Sequence, residues 1–579
     1  MICVNIYAAE YNWLGPNKIS FLHIAKPTNT DLIKSLPEPN IPKPPRDTGI
    51  INWQSLRQSS PLEFNQIQLK KEVLKSDGIV KGKGTKDDPY IIKNLYIKGI
   101  TDKPGILLKN IKTHLIIENV LVDGVPINGN APARAFGIAM ENCEGIVISH
   151  CQISRCQGIG AYGVKTQNIL FENNYVFSTT KGIMTNGVNY CIAKGNYITD
   201  SAEYGVFLYG GHDNVVENNY VNWTGREGIG TNGNSPRQTY KDNIILNTGW
   251  TAINLEGTVD NSIVKNNLIV NSYYGIILAG NKSICENNNV FYNSQMGIFA
   301  YGDDENMLIK NNLIVGSGQQ GINVYSPGTK KVKIISNKVF LSDTGINVNG
   351  TGAIIEKNDI SQFYWGITVS ADACIIKENS IYRGRNAMDI ANIPNTLKEK
   401  TIIEKNYLFD LLAGITIQGI KNVFVIDNKI KYVGQGISIY NGLNLTIRNN
   451  KFIQIPYLGI ELSDSYNCLI IKNKLVNGTS IGITIEKGEK NIIRDNNIVN
   501  FLSESLGGGI IIKNTKDNII TDNRLEKCVV AVVFDGGKNQ NNILRNNSYV
   551  NNQLNIGTQE GAEKVKETNN IEGKPISRN

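Results

Sequence analysis

The sequence predicts an all-β solenoid, and three observations lead there. One phrase, clearest at Gly297 to Val315 (GIFAYGDDENMLIKNNLIV), returns along most of the 579 residues. Its apolar runs are short, rich in Ile, Val and Tyr, and bounded by Gly, Asn, Asp and Ser, which is strand-and-turn composition. An asparagine recurs at the second turn of nearly every copy. Repeats of this length stack into one elongated body with a continuous core, so chain length alone is a poor guide to domain number.

Residues 1–75 do not carry the repeat. Tyr11, Trp13, Phe21 and Leu22 precede a proline-rich segment, LPEPNIPKPP (Leu36 to Pro45), which reads as extended and semi-rigid. This region is expected to be an attachment arm and linker, with a capping element near LKKEVL (Leu69 to Leu74). The solenoid is expected over 76–552. It opens with GKGTKDDPYIIKNLYIKG (Gly82 to Gly99), whose longer, less regular coils suit an end that must cover an open strand edge.

From Gly137 onward the opening residue recurs at Gly158, Gly182, Gly205, Gly228, Ala252, Gly275, Gly297, Gly321, Gly345 and on to Ala531, mostly 21 to 24 residues apart. Such a coil is too short for helices with connections and fits three short strands. Alternation turns Ile298 and Ala300 inward and Phe299 and Tyr301 outward. The recurring asparagines (Asn173, Asn219, Asn267, Asn312, Asn337, Asn358, Asn406, Asn428, Asn450, Asn473, Asn497, Asn523, Asn547) are read as a stacked amide ladder. Roughly 18–20 coils at about 4.8 Å each predict a rod of about 90 Å. Residues 553–579 are expected to be a polar tail or cap.

Composition narrows the function classes. The net charge of +8 is spread along the chain with neither a dense basic stripe nor a nucleic-acid-binding module, so no nucleic-acid partner is expected. No apolar stretch approaches about 18 residues, so no membrane insertion is expected. The first residues, MICVNIYAAEYNWLGPNK, make a poor secretory signal. The nine cysteines show no metal spacing; Cys191, Cys285, Cys374 and Cys468 fall at core positions, and Cys143, Cys151 and Cys156 are close enough in sequence to admit one disulfide.

With the repeat in view, the stretch from Gly78 to Asn551 resembles the right-handed parallel β-helix superfamily, the pectate-lyase-like and carbohydrate-binding/sugar-hydrolase repeat proteins. The phrase Gly84-Thr85-Lys86-Asp87-Asp88-Pro89-Tyr90-Ile91-Ile92 resembles the G-T-x-x-D-P-Y-x-I opening of its surface-associated members. The resemblance implies a right-handed single-stranded parallel β-helix. It leaves open a range of roles, from polysaccharide lyases, hydrolases and uronate epimerases to phage tailspikes and non-catalytic surface proteins.

Residues in excess of what the coil requires gather between about 204 and 325. Tyr209, Trp250, Tyr274, Tyr301 and Tyr325 supply flat faces, and Arg226, Glu227 and Arg237 supply charged edges, a combination suited to sugar rings. Glu256 and Asp303 or Asp304 lie two coils apart, about 10–12 Å by strand geometry. Side chains leaning inward would approach the spacing of about 6.5–9.5 Å that an inverting hydrolase needs. Solvated turn acids are the plainer account of the same residues.

A second constellation, Arg383, Arg385 and Asp389, borders the insertion ANIPNTLKEK (Ala391 to Lys400). The lyases of the superfamily pair such a basic residue with calcium-bound carboxylates. Calcium is therefore the one ion to consider, although only Asp389 is at hand and no other cofactor or metal is expected. YGDD at Tyr301 shares only part of the epimerase Tyr-Gly-x-Asp-Pro-His signature, and GIGAYG (Gly158 to Gly163) is a product of the repeat, with no helix behind it.

The expected function is a virion-displayed or extracellular β-helical rod that engages polysaccharide, with hydrolase or lyase activity as an extension. Residues 1–75 would join it to a virion or cell-surface protein. A homotrimer is the assembly to test, although no continuous apolar outer column argues for one. The alternative is a non-catalytic structural or adhesive appendage that contacts other proteins.

Overall fold

The computed structural model describes residues 37–43, 51–124, 134–163, 165–302, 306–325, 331–371, 373–391, 400–502, 508–558 and 566–573. The chain divides into two compact units, Met1–Gln319 and Gln320–Asn579. Both are right-handed parallel β-solenoids, and together they hold about 19 turns with very little helix.

The first unit starts with an end cap. Strand Arg57–Ser59 pairs in parallel with Leu95–Ile97, and Leu62–Asn65 pairs with Ile106–Lys109. Helix Gln66–Val73 follows, and it is the only α-helix among the described residues. Asn65 and Gln68 close its N-terminus as a reciprocal capping box, with Asn65 Oδ1 accepting from the Ile67 and Gln68 N–H groups. The helix includes much of the LKKEVL stretch expected to cap the solenoid.

The Gly84–Tyr90 phrase is a turn device. Backbone N–H groups of Lys83, Gly84 and Thr85 all donate to the Asp88 carbonyl, and Gly84 packs so closely on the Tyr90 ring that a Cβ would lie 2.5 Å from it. Val80–Lys81 then runs antiparallel to Ile91–Ile92, against the parallel pairing elsewhere.

Each regular coil contributes to three sheets. In the first unit, Ile159, Ile183, Val206, Ile229, Ile253, Ile276 and Ile298 stand in register along the first sheet, and all are fully buried. The alternation predicted at Gly297 holds, with Ile298 and Ala300 buried and Phe299 and Tyr301 facing out. The opening position is glycine in most coils because the next coil there comes too close for a side chain. A Cβ on Gly205 would lie 2.4 Å from the Gly228 carbonyl oxygen, and one on Gly275 would lie 2.3 Å from that of Gly297.

The amide ladder is present and more regular than the sequence suggests. In the first unit it runs Asn174, Asn196, Asn219, Asn243, Asn267, Asn288, Asn312, all buried. From Asn174 to Asn288, each backbone N–H and each Nδ2 donates to Oδ1 of the next rung at 2.9–3.0 Å. The second unit continues the pattern through Asn337, Asn358, Asn379, Asn406, Asn428, Asn450, Asn473, Asn496, Asn523 and Asn547.

Two expected rungs shift by one residue. Asn173 has φ 53° and makes the left-handed turn before the true rung, Asn174, while Asn497 follows the true rung, Asn496. Asn-Asn pairs recur because the two residues meet different requirements. The first tolerates positive φ, and the second satisfies buried donors.

The eight described cysteines are free and buried. The disulfide admitted among Cys143, Cys151 and Cys156 is not formed. Cys143 and Cys151 are instead set against backbone carbonyls, and burial pushes the Cys151 and Cys156 thiols up to about 12.

Candidate functional site

The first sheet of the first unit carries a polar centre between two aromatic groups. Its outward positions in successive coils are Phe207 and Tyr209, then Gly230 and Asn232, then Asn254 and Glu256, then Ile277 and Ala279, then Phe299 and Tyr301. Gly230 leaves a gap in this row, and the Phe207 ring fills part of it: a Cβ there would lie 3.0 Å from the ring and 3.5 Å from Glu227 Cβ.

Glu227 immediately precedes the opening glycine of its coil, next to Tyr204 of the preceding one, whose following glycine N–H donates to the Glu227 carbonyl. Its side chain is only 7% exposed, and Oε2 has no hydrogen-bond donor among the described residues. Arg226 Nε approaches that oxygen to 3.8 Å, close enough for charge attraction and too far for a hydrogen bond. Burial pushes the carboxyl above its ordinary value, opposed by the Arg226 guanidinium and the Asn254 amide, and Glu256 adds to the rise as a like charge. Glu256 itself is half-exposed, with Asn232 Nδ2 3.5 Å from its Oε2. The carboxylates that the fold draws together are therefore Glu227 and Glu256. Asp303 and Asp304, expected as partners of Glu256, lie outside the described residues.

On one side of this centre Tyr204 stacks on Phe207 with centroids 4.3 Å apart. Arg226 lies over the Tyr204 ring and donates to its hydroxyl at 3.0 Å. On the other side Trp250 stacks almost parallel on Tyr273 at 4.7 Å and meets Tyr274 edge-on at 5.5 Å. Tyr274 leads on to Phe299 at 6.3 Å, which stacks with Tyr301 at 5.4 Å.

A register shift between Thr248 and Thr251 turns Trp250 outward, leaving it 45% exposed. Phe207 was not singled out from sequence. Tyr273 and Phe299 show their role only once the coil corner is known, because stacking depends on which coil follows which.

The remaining expected residues are placed as follows. Tyr209 is exposed on the same sheet, one coil before Asn232. Arg237 sits on a turn and is committed to Asp213 through two bonds of 2.7 Å, Nε to Oδ1 and Nη2 to Oδ2. With His212 also on it, the Asp213 carboxyl is held at about 2. Arg237 is thus a turn brace and is not gathered with Glu227 and Glu256. Tyr325 is exposed and belongs to the second unit.

In the second constellation Arg385 lies over the Tyr364 ring at 4.6 Å. Asp389 stands in register between Thr368 and Thr416, and burial raises its carboxyl. It belongs to no group of three or more His, Cys, Asp or Glu side chains among the described residues.

Comparison with known families adds the following. A model described as "Right handed beta helix region" matches residues 181–339. One described as "Periplasmic copper-binding protein (NosD)" matches residues 64–254 and 373–578, more than half of the chain. The chain belongs to the NosD family. No curated protein matches it significantly.

Among solved structures, similar chains include a periplasmic alginate epimerase AlgG (13% identity, 62% of this chain and 84% of that one, TM-score 0.31). They also include the Dettilon tailspike (16%, 46% and 56%, 0.33) and the catalytic domain of a GH87 alpha-1,3-glucanase (14%, 59% and 68%, 0.37). At these identities the likeness is one of fold alone.

The copper in the description of the NosD family can be tested against the donor set. No group of three or more His, Cys, Asp or Glu side chains converges among the described residues. The eight described thiols are enclosed in the core, and His212 is spent on Asp213 at 2.6 Å. Copper favours imidazole, thiolate and thioether donors that converge on one point, and the described His, Cys, Asp and Glu side chains of this NosD-family chain offer no such group of three.

Proposed function

We propose that this β-helix binds polysaccharide along the first-sheet face of its first unit, from Tyr204 to Tyr301. One observation carries the reading: two aromatic groups flank a centre of Glu227, Asn254 and Glu256 in which a buried carboxyl oxygen has no donor. Sugar rings stack on aromatic planes through their axial hydrogens, and their hydroxyls donate to carboxylate and amide oxygens. A hydroxyl of a bound sugar would supply the donor that Glu227 Oε2 lacks.

Affinity electrophoresis against a panel of neutral and acidic polysaccharides tests this. At least one polysaccharide should retard the protein, and Trp250→Ala and Tyr274→Ala should each weaken retardation about tenfold. Tyr457→Ala, at an exposed tyrosine of the second unit, should leave it unchanged. Retardation by nothing in the panel, or equal retardation of all three variants, would remove the proposal.

Cleavage is a second reading, favoured by the opposite environments of the two carboxyls. The raised Glu227 would protonate the leaving glycosidic oxygen, and Glu256 would take a proton from the attacking water. New reducing ends, lost in Glu227→Gln while binding persists, would support it. Their absence, with binding intact, would favour a purely adhesive appendage.

Display outside the cytoplasm, on a cell surface or virion, completes the reading, and the periplasmic description of the family favours such a location. Because strands Arg57–Ser59 and Leu62–Asn65 pair into the first coils, attachment to a surface protein would fall to the residues before them. Sedimentation would decide whether the displayed form is a homotrimer.

A further inference from the structure

Apart from that face, a groove of about 390 Å³ lies at the start of the first unit. Strands Arg57–Ser59, Leu95–Ile97, Val120–Val122 and Gln152–Ser154 pair there in parallel, so Gln58, Tyr96, Leu121 and Gln152 stand side by side. Trp53 forms the wall. It sits on a single 3-10 turn, Trp53–Ser55, whose preceding residue Asn52 caps it. The neighbouring Ile51 N–H donates to Gln152 Oε1 at 3.1 Å and ties this turn to the sheet. The Trp53 ring is tilted 54° to Tyr96 at 6.2 Å and is 53% exposed, so the turn holds it in place without covering it.

The charges of the groove do not cancel. Asp123 is fully used: Arg155 Nε donates to Oδ1 at 2.7 Å, Arg155 Nη2 donates to Oδ2, and the Ser154 hydroxyl donates to Oδ1 at 2.8 Å. Lys98 stands in register beside Asp123 yet forms no ion pair among the described residues. One ammonium group is therefore left to a ligand, in a groove also lined by Trp53, Tyr96, Phe177, Gln58 and Gln152.

We infer that this groove binds a single negatively charged sugar residue, at a site separate from the Glu227 face. The ring stacks on Trp53 and Tyr96, its carboxylate meets Lys98, and its hydroxyls reach Gln58 and Gln152. Ligand sites span about 300–1,000 Å³. At the low end of that range, the groove suits one sugar residue rather than a chain. The site does not depend on the polysaccharide face and stands or falls by itself.

Saturation-transfer NMR on the full chain, with methyl glucuronide and methyl glucoside as probes, tests it. The charged probe should bind about fivefold more tightly at low salt, and salt should erode the preference. Lys98→Gln should abolish the preference and keep the weaker binding. Trp53→Ala should lose both probes about tenfold, and Trp250→Ala should lose neither. The inference is overturned if neither probe receives saturation, if the preference survives Lys98→Gln, or if Trp250→Ala removes binding that Trp53→Ala leaves.

Discussion

Replacing Asn267 with alanine tests the amide ladder where it underlies the proposed site, in the coil that carries Glu256 and Tyr274. Asn267 Oδ1 accepts from the backbone N–H and from Nδ2 of Asn243, each at 3.0 Å, and its own Nδ2 donates to the Tyr240 carbonyl at 3.0 Å and to Asn288 Oδ1 at 2.9 Å. Alanine would leave two buried Asn243 donors without an acceptor. Each costs about 1–3 kcal/mol, so the loss should be about 2–6 kcal/mol. The adjacent Asn266 is an internal control. It is exposed, has φ 56° and makes one surface bond to Asp242. Asn266→Gly keeps the left-handed turn and should cost less than about 1 kcal/mol. Urea unfolding gives the difference, and hydrogen exchange at the Asn243 amide locates it. An Asn267→Ala cost below about 1 kcal/mol, or one equal to that of Asn266→Gly, would refute the claim that the ladder's buried bonds hold the coils in register.

Three further outcomes follow. Burial raises the Glu227 carboxyl above its ordinary 4.5, so the folded protein holds that proton more tightly than the unfolded chain. Stability should fall as pH rises through the raised value, and Glu227→Gln should melt higher than the parent at pH 7 with no advantage below about 4.5. Asp213 has the opposite sign. Its carboxyl is lowered to about 2 by Arg237, so its contribution is present above its ordinary 3.8 and is lost as pH falls through about 2. With Arg237 half-exposed and screened by solvent, the pair should contribute under about 1 kcal/mol, and Arg237→Gln should move the Asp213 carbon resonance titration upward by NMR. Thiol labelling followed by peptide mapping should leave Cys151, Cys156, Cys191 and Cys528 unmodified until the chain is unfolded, because all four are buried with thiols near 12.

The fold was readable because a solenoid writes the same local requirement into every coil. The glycine that admits the next coil, the inward Ile and the ladder Asn each recur at a fixed offset, so a single misread residue such as Asn173 leaves the pattern intact. The candidate site was readable only in part. Tyr209, Trp250 and Glu256 stand out because the coil does not need them. Which carboxyl accompanies Glu256 depended on depth, and depth is set by Gly230 and Phe207, whose packing leaves Glu227 buried and short of a donor. Arg237 read as a charged edge for a sugar until its turn brought it onto Asp213. The Trp53 groove was hidden because its wall comes from a segment without the repeat, and its floor from strands that carry it.

The most direct measurement is a crystal structure of the full chain with an oligosaccharide taken from whichever polysaccharide retards it. Sugar rings should stack on Trp250 and Tyr274, with a hydroxyl or glycosidic oxygen within hydrogen-bond distance of Glu227 Oε2. Density for the oligosaccharide on another sheet, with the Tyr204 to Tyr301 face left bare, would contradict this placement.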